Sequence, residues 1–195
     1  MVKLIISNLF ILVLLTNGNR IKAQNTRIED DIKNIRHQYR QIALKQISGL
    51  EIDTVDFSEP IIEGEEHQGG SLELYIVYHT KADTFLISNI SIQDEGGAYS
   101  KRITEAYLWD SLPFFFYVQS EGLYEGIKRE LRIYISDGMV IRKLKKEARF
   151  YDPSFGFKQL SMDTIPNKSA TIEREDFNRV NDFVGNSKRY ISSGK

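Results

Sequence analysis

Cysteine is absent from all 195 residues. No disulfide framework can hold the fold, no thiolate can act as a nucleophile, and no thiol is available for the lipid attachment that anchors bacterial lipoproteins. The fold must rest on its core, and about 170 residues supply one, because a domain of that size buries roughly 70% of its unfolded surface. A positive excess is missing too: 26 lysines and arginines face 27 acids. That balance weighs against a nucleic-acid binder, for which a basic stripe supplies most of the affinity, and no nucleic-acid partner is expected. Long apolar runs are scarce. The one that stands out, Leu4 to Leu15 behind Lys3, reaches only about 18 Å as a helix, against the roughly 30 Å of hydrocarbon that a spanning segment crosses. Asn17, Gly18 and Asn19 then break it, and a small residue, Ala23, follows.

This order is the layout of a secretory signal peptide, although Ile21, three positions before the expected cut, is bulkier than the A-x-A ideal. Residues 1–23 are expected to be the signal peptide and residues 24–195 a single domain. The expected product is soluble after cleavage, periplasmic or extracellular, with no transmembrane segment in the mature chain. Removing Lys3, Arg20 and Lys22 would leave 23 cations against 27 acids, a net charge of −4.

Catalytic motifs are also lacking. The three histidines, His37, His67 and His79, show no H-x-x-x-H or H-E-x-x-H spacing that would set two ligands on one helix face. Glu65-Glu66-His67 offers oxygens and a nitrogen, but adjacent residues rarely converge on one ion without further ligands, so a hydrated loop is the expected reading. No EF-hand order occurs in the acidic stretch, where Pro60 disfavours a compact ligand loop. Neither a G-x-S-x-G elbow nor a phosphate loop is present, since Gly69-Gly70 and Gly96-Gly97 precede strand-like runs rather than helices. Carboxylate pairs for glycoside hydrolysis are spatial rather than sequential, so no pair can be named from 27 acids. No catalytic residue, metal ligand or cofactor is assigned.

What the sequence does contain is alternation between two periods. Thr26 and Glu29 have capping-box spacing, and Ile28, Ile32, Ile35, Tyr39 and Ile42 recur at steps of four and three, predicting an amphipathic helix with a stop near Gly49. Seven carboxylates between Glu51 and Glu66 predict a solvated connector, although Ile52, Val55 and Phe57 permit a short edge strand. After Gly70 the period becomes two. Strand-like runs follow at Leu72–Tyr78, Phe85–Ile92, Ile103–Trp109, Phe114–Gln119, Ile127–Ser136 and Met139–Lys145, joined by turn signals of which Asp137-Gly138 is the strongest. Connections this short allow only antiparallel neighbours, hence a meander of about six strands. Beyond Asp152-Pro153 the chain reads as irregular. A second helix is expected to start at Ser169 or Thr171, with Phe177, Val180, Val184 and Ile191 on its stripe, and Gly185 is a possible early end.

Phe114-Phe115-Phe116-Tyr117-Val118 puts aromatic side chains on both faces of one strand, so both faces need cover. Helices can shelter one. The other requires a loop, the C-terminal segment, a partner or a ligand. Tyr75, Trp109, Phe115, Tyr117, Arg132 and Tyr134 are the candidate ligand-binding residues on this reasoning. A face bearing tyrosine and arginine suits a protein, peptide or glycan of the cell envelope, and it equally suits an ordinary solvated sheet.

The stretches Gly69-Gly70-Ser71-Leu72-Glu73-Leu74-Tyr75, Gly96-Gly97, Ala106-Tyr107-Leu108, Pro113 to Val118 and Arg142-Lys143-Leu144 resemble a loose family of uncharacterised small secreted proteins of Bacteroidetes-type bacteria. Lys22-Ala23-Gln24 resembles the export end of that lineage. The resemblance covers about half the chain. It implies an exported protein with a leading helix and an antiparallel meander, and it supplies no activity or site residue. The expectation is therefore an α+β fold, an antiparallel sheet packed against an N-terminal and a C-terminal helix, serving as a secreted or periplasmic non-enzymatic binding module. The alternative is a cell-envelope hydrolase using acidic residues or a histidine.

Overall fold

The computed structural model describes residues 26–58, 70–95, 98–122, 126–149, 151–152, 156–157 and 165–193. The expected signal peptide, the Glu65-Glu66-His67 group, Gly69, Gly96-Gly97 and Pro153 lie outside them. The chain divides into two compact units, Met1–His37 and Gln38–Lys195. Helix α1 covers residues 26–43, and Ile32, Ile35 and Ile42 of its apolar stripe are buried. It stops before Gly49. Lys45 adopts φ +54°, and the N–H groups of Lys45 and Gln46 donate to the carbonyls of Ile42 (2.9 Å) and Gln41 (2.8 Å). These two bonds make a Schellman motif, with lysine in the left-handed position usually held by glycine.

The fold is α+β, with an N-terminal helix, a C-terminal helix and an antiparallel meander. The sheet has eight strands, not six. In sequence order they are β1 (Glu51–Asp56), β2 (Ser71–His79), β3 (Thr84–Glu95), β4 (Ala98–Trp109), β5 (Leu112–Gly122), β6 (Ile127–Ser136) and β7 (Met139–Arg149). Two short strands, β8 (Tyr151–Asp152) and β9 (Gly156–Phe157), pair with each other, and β10 (Lys168–Ser169) closes the main sheet beside β7. The two additional members are β1 and β10. The carboxylates of β1 look like loop in sequence but blunt an edge strand in the fold. A two-residue strand such as β10 has no period to read.

Asp137 and Gly138 have φ of +50° and +71°, the pair of positive values that a type I′ hairpin requires. Asp110 and Ser111 do the same at the β4–β5 turn, with φ of +50° and +63°. The Ser111 hydroxyl donates to Asp83 Oδ1 at 2.9 Å.

Paired residues of an antiparallel ladder point to one side, and neighbours along a strand point to opposite sides. The register thus sorts the sheet into two faces. The first carries the row Tyr75, Asn89, Thr104, Val118, Leu131 and Lys145, and the second carries Ile76, Ser88, Glu105, Tyr117, Arg132 and Leu144. Helix α2 (Glu175–Ser193) lies on the first face, burying Asp176, Val180, Val184 and Ser187 at steps of four, four and three. With Ile87, Ala106, Leu108, Phe116, Val118, Ile133 and Ile135 of the strands, Val180 and Val184 form the core.

Helix α2 begins later than the sequence suggests. Glu173 occupies the N-cap position, where its N–H donates to Asp176 Oδ2 at 2.8 Å, the returning half of a capping box. Gly185 does not end the helix, which continues for two more turns. No helix among the described residues is long and apolar enough to cross a membrane.

Candidate functional site

The register brings four of the six candidate residues to the second face. Phe115 and Tyr134 are cross-strand partners, as are Tyr117 and Arg132. Phe115 sits 5.1 Å from the Tyr134 ring, 5.6 Å from Tyr107 and 5.4 Å from Tyr39. Phe115 and Tyr134 are both buried. On the opposite face Phe116 meets Phe183 of α2 at 5.6 Å. The cover that Phe114 to Val118 requires is therefore supplied by the chain itself, through α2 on one side and a cluster of rings on the other. Large aromatic areas favour such burial over exposure.

One row further, Tyr117 and Arg132 belong to a polar network. The Arg132 guanidinium lies 5.9 Å from the Tyr117 ring centre and donates to Glu130 Oε2 at 2.9 Å. The Tyr117 hydroxyl donates to Gln119 at 2.9 Å, and Tyr107 donates to Glu105 Oε2 at 2.9 Å. Burial raises the Glu105 carboxyl above its usual range, opposed by the Tyr107 hydrogen bond. Burial also raises Tyr107 and Tyr117, with Glu105 adding to the first and Glu130 to the second. Neutral tyrosines are hydrogen-bond donors here, and no phenolate is available as a base.

Tyr75 is on the other face. Its ring stacks with Tyr190 of α2 at 6.3 Å and 25°, and Phe57 meets both edge-on at 5.9 and 6.3 Å. Tyr75 itself is buried, whereas Tyr190 is 56% and Phe57 36% exposed. The Tyr75 hydroxyl and the Asn89 amide both donate to Glu73 Oε1, at 3.0 and 3.2 Å. Burial, followed by this bond and the Glu73 charge, pushes Tyr75 up to about 12. Trp109 joins neither group and packs on Phe85 at the end of β4, 5.8 Å away.

Phe57, Glu73, Asn89 and Tyr190 were not expected as site residues. Glu73 shares its strand face with Tyr75 two positions later, which was the available local signal. Tyr190 lies more than a hundred positions downstream, and only the path of α2 brings it to Tyr75.

Two further features have chemical potential. His79 Nε2 is buried and lies 3.3 Å from Asp53 Oδ2, while Nδ1 is 3.3 Å from the Thr80 carbonyl oxygen. A cavity of about 450 Å³ beside β7 and β10 is lined by Lys145, Glu147, Lys168, Ser169, Thr171 and Glu173. Among the described residues, no group of three or more histidines and acids is placed to hold a metal ion. Comparison with protein-family models, curated proteins and solved structures gives no match.

Proposed function

We propose that the chain is an exported, non-enzymatic binding module of the cell envelope that docks a peptide or glycan on Phe57, Tyr75 and Tyr190. The ring trio carries this reading. Two rings are open to solvent and held at fixed angles by a third that is buried, so little side-chain entropy is lost on binding. Aromatic rings with a polar neighbour present an apolar surface and a directional contact together, the combination that recognition sites use. Glu73 supplies that contact, because its second carboxylate oxygen remains available for a ligand N–H or hydroxyl. The resemblance to small secreted proteins of Bacteroidetes-type bacteria supports the same compartment.

The test is binding of the secreted chain to arrays of peptides and soluble oligosaccharides. Tyr190→Ala is expected to weaken a hit at least tenfold, about 1.4 kcal/mol, with a thermal midpoint close to that of the parent. A hit insensitive to Tyr190→Ala and Phe57→Ala removes the trio from the function. Fractionation with N-terminal sequencing checks export, and Gln24 is the expected first residue.

The alternative, a cell-envelope hydrolase, has less support, because Asp53 Oδ2 and the Thr80 carbonyl oxygen face both ring nitrogens of His79 and leave neither free to act as a general base. Hydrolysis of an envelope substrate that is lost in His79→Gln would select it over the binding module.

A further inference from the structure

Strand β7 is rich in cations, and they are not equivalent. Lys143, Lys145 and Glu147 alternate onto the face that carries α2. Lys143 is neutralised there, with its ammonium 2.8 Å from Asp176 and 3.5 Å from Glu173. Lys145 has no such partner. Its register partner across the ladder is Lys168 of β10, so two ammonium-bearing side chains start about 5 Å apart on one face, an arrangement that destabilises a sheet when nothing lies between the charges. Both lysines line the 450 Å³ cavity. The two acids of its wall are directed to other cations, Glu147 to Arg129 at 3.0 Å and Glu173 to Lys143. Neither Lys145 nor Lys168 forms an ion pair among the described residues.

We propose that this pocket binds the phosphate group of a small phosphomonoester, held between Lys145 and Lys168, with the Thr171 hydroxyl as a neutral donor. The charges match: two ammonium groups face a group that carries about −1.5 to −2 at neutral pH. The donor type matches as well. Lysine is a point charge suited to a tetrahedral phosphate, whereas planar two-bond capture of a carboxylate is the role of arginine. The pocket is open, with Lys145, Lys168 and Thr171 exposed, so a phosphate can sit between the two ammonium groups while the organic body of the ester stays largely in solvent. This site stands apart from the ring trio and does not depend on it.

Calorimetric titration of the full chain at low salt with glucose 6-phosphate, glucose and glucuronate tests the assignment. Glucose 6-phosphate is expected to bind, at least tenfold more tightly than glucuronate, with no heat from glucose. The Lys145→Gln/Lys168→Gln pair is expected to abolish binding while leaving the thermal midpoint unchanged or raised, since it removes a like-charge contact. Tyr190→Ala is expected to bind as the parent does, which separates failure of this site from failure of the ring trio. Absence of glucose 6-phosphate binding at millimolar concentration overturns the proposal, as does binding that survives in the double variant. Equal affinity for glucuronate overturns the phosphate assignment.

Discussion

Asp176 and Lys143 meet where α2 lands on the sheet, and both side chains are almost completely buried, 1% and 3% exposed. Burial, the largest single influence, pushes the Asp176 carboxyl up. Hydrogen bonds from Lys143 and the Glu173 N–H, together with the charges of Lys143 and Arg179, outweigh it and hold the group below its usual range. Asp176→Asn leaves the buried Lys143 charge with only the exposed Glu173, 3.5 Å away, and is expected to cost about 3 kcal/mol in urea denaturation. The pH dependence has a fixed sign. A depressed folded pKa means that the pair stabilises fully above the unfolded carboxylate value of about 3.9 and that this contribution is lost as pH falls through the folded value. Unfolding free energy of the parent is expected to fall more steeply than that of Asp176→Asn below about pH 4, and the two slopes to match near neutrality. Sequence reasoning finds Asp176 as an acid of the first helical turn, which it is. Its partner lies 33 positions away, and spacing carries no information over that distance.

At the level of elements, two glycines separate what local sequence specifies from what tertiary packing decides. Gly138 sits in the type I′ turn with φ +71°, a conformation that costs an L-residue roughly 1 to 2 kcal/mol. Gly138→Ala is therefore expected to destabilise by about that amount. Gly185 lies inside α2, and an added Cβ there meets nothing within 4 Å. Gly185→Ala is expected to stabilise by about 0.5 to 1 kcal/mol, through helix propensity and a more restricted unfolded chain. Thermal denaturation of the two variants, read by circular dichroism, should give shifts of opposite sign. The Asp137-Gly138 hairpin was legible because its dihedral requirement is met by two adjacent residues. The continuation of α2 through Gly185 was not, because Val180, Val184 and Ser187 hold the helix from below and override the local breaker. Helix α1 ends before Gly49 for a local reason instead, the left-handed Lys45 and its backbone hydrogen bonds, which no residue type in the sequence announces. The ring trio was legible only in Tyr75, since Phe57 lies just past the end of β1 and Tyr190 at the far end of α2.

Across the whole sheet, strands β1 to β7 lie side by side in the order of synthesis, and among the described residues β10 and α2 are the elements that return over earlier structure. The path of α2 follows from its two anchors. Asp176 is fixed on β7 and Tyr190 on β2. Five strand spacings of about 4.8 Å separate those strands, some 24 Å; the helix rises about 21 Å from Asp176 to Tyr190, and the anchoring side chains span the rest. One helix thus ties nearly the full width of the meander, crossing the strands rather than running along them. Its buried stripe covers the central strands, where Ile87, Leu108, Phe116 and Ile133 are almost fully excluded from water. At one margin β1 is hydrogen-bonded on a single side, and at the other β10 pairs with only Leu144 and Lys145 of β7. Local opening is least costly where backbone bonds face solvent and few apolar side chains are buried. Native-state hydrogen exchange is therefore expected to give the slowest amides in β3 to β6, opening only with global unfolding. The outward amides of β1 and of Met139 to Arg142 should exchange orders of magnitude faster, and Asp176→Asn should accelerate the central strands by the same free energy that it removes in urea. Uniform protection from β1 to β7 would show that the sheet opens as one unit and that α2 does not set the order in which its strands are released.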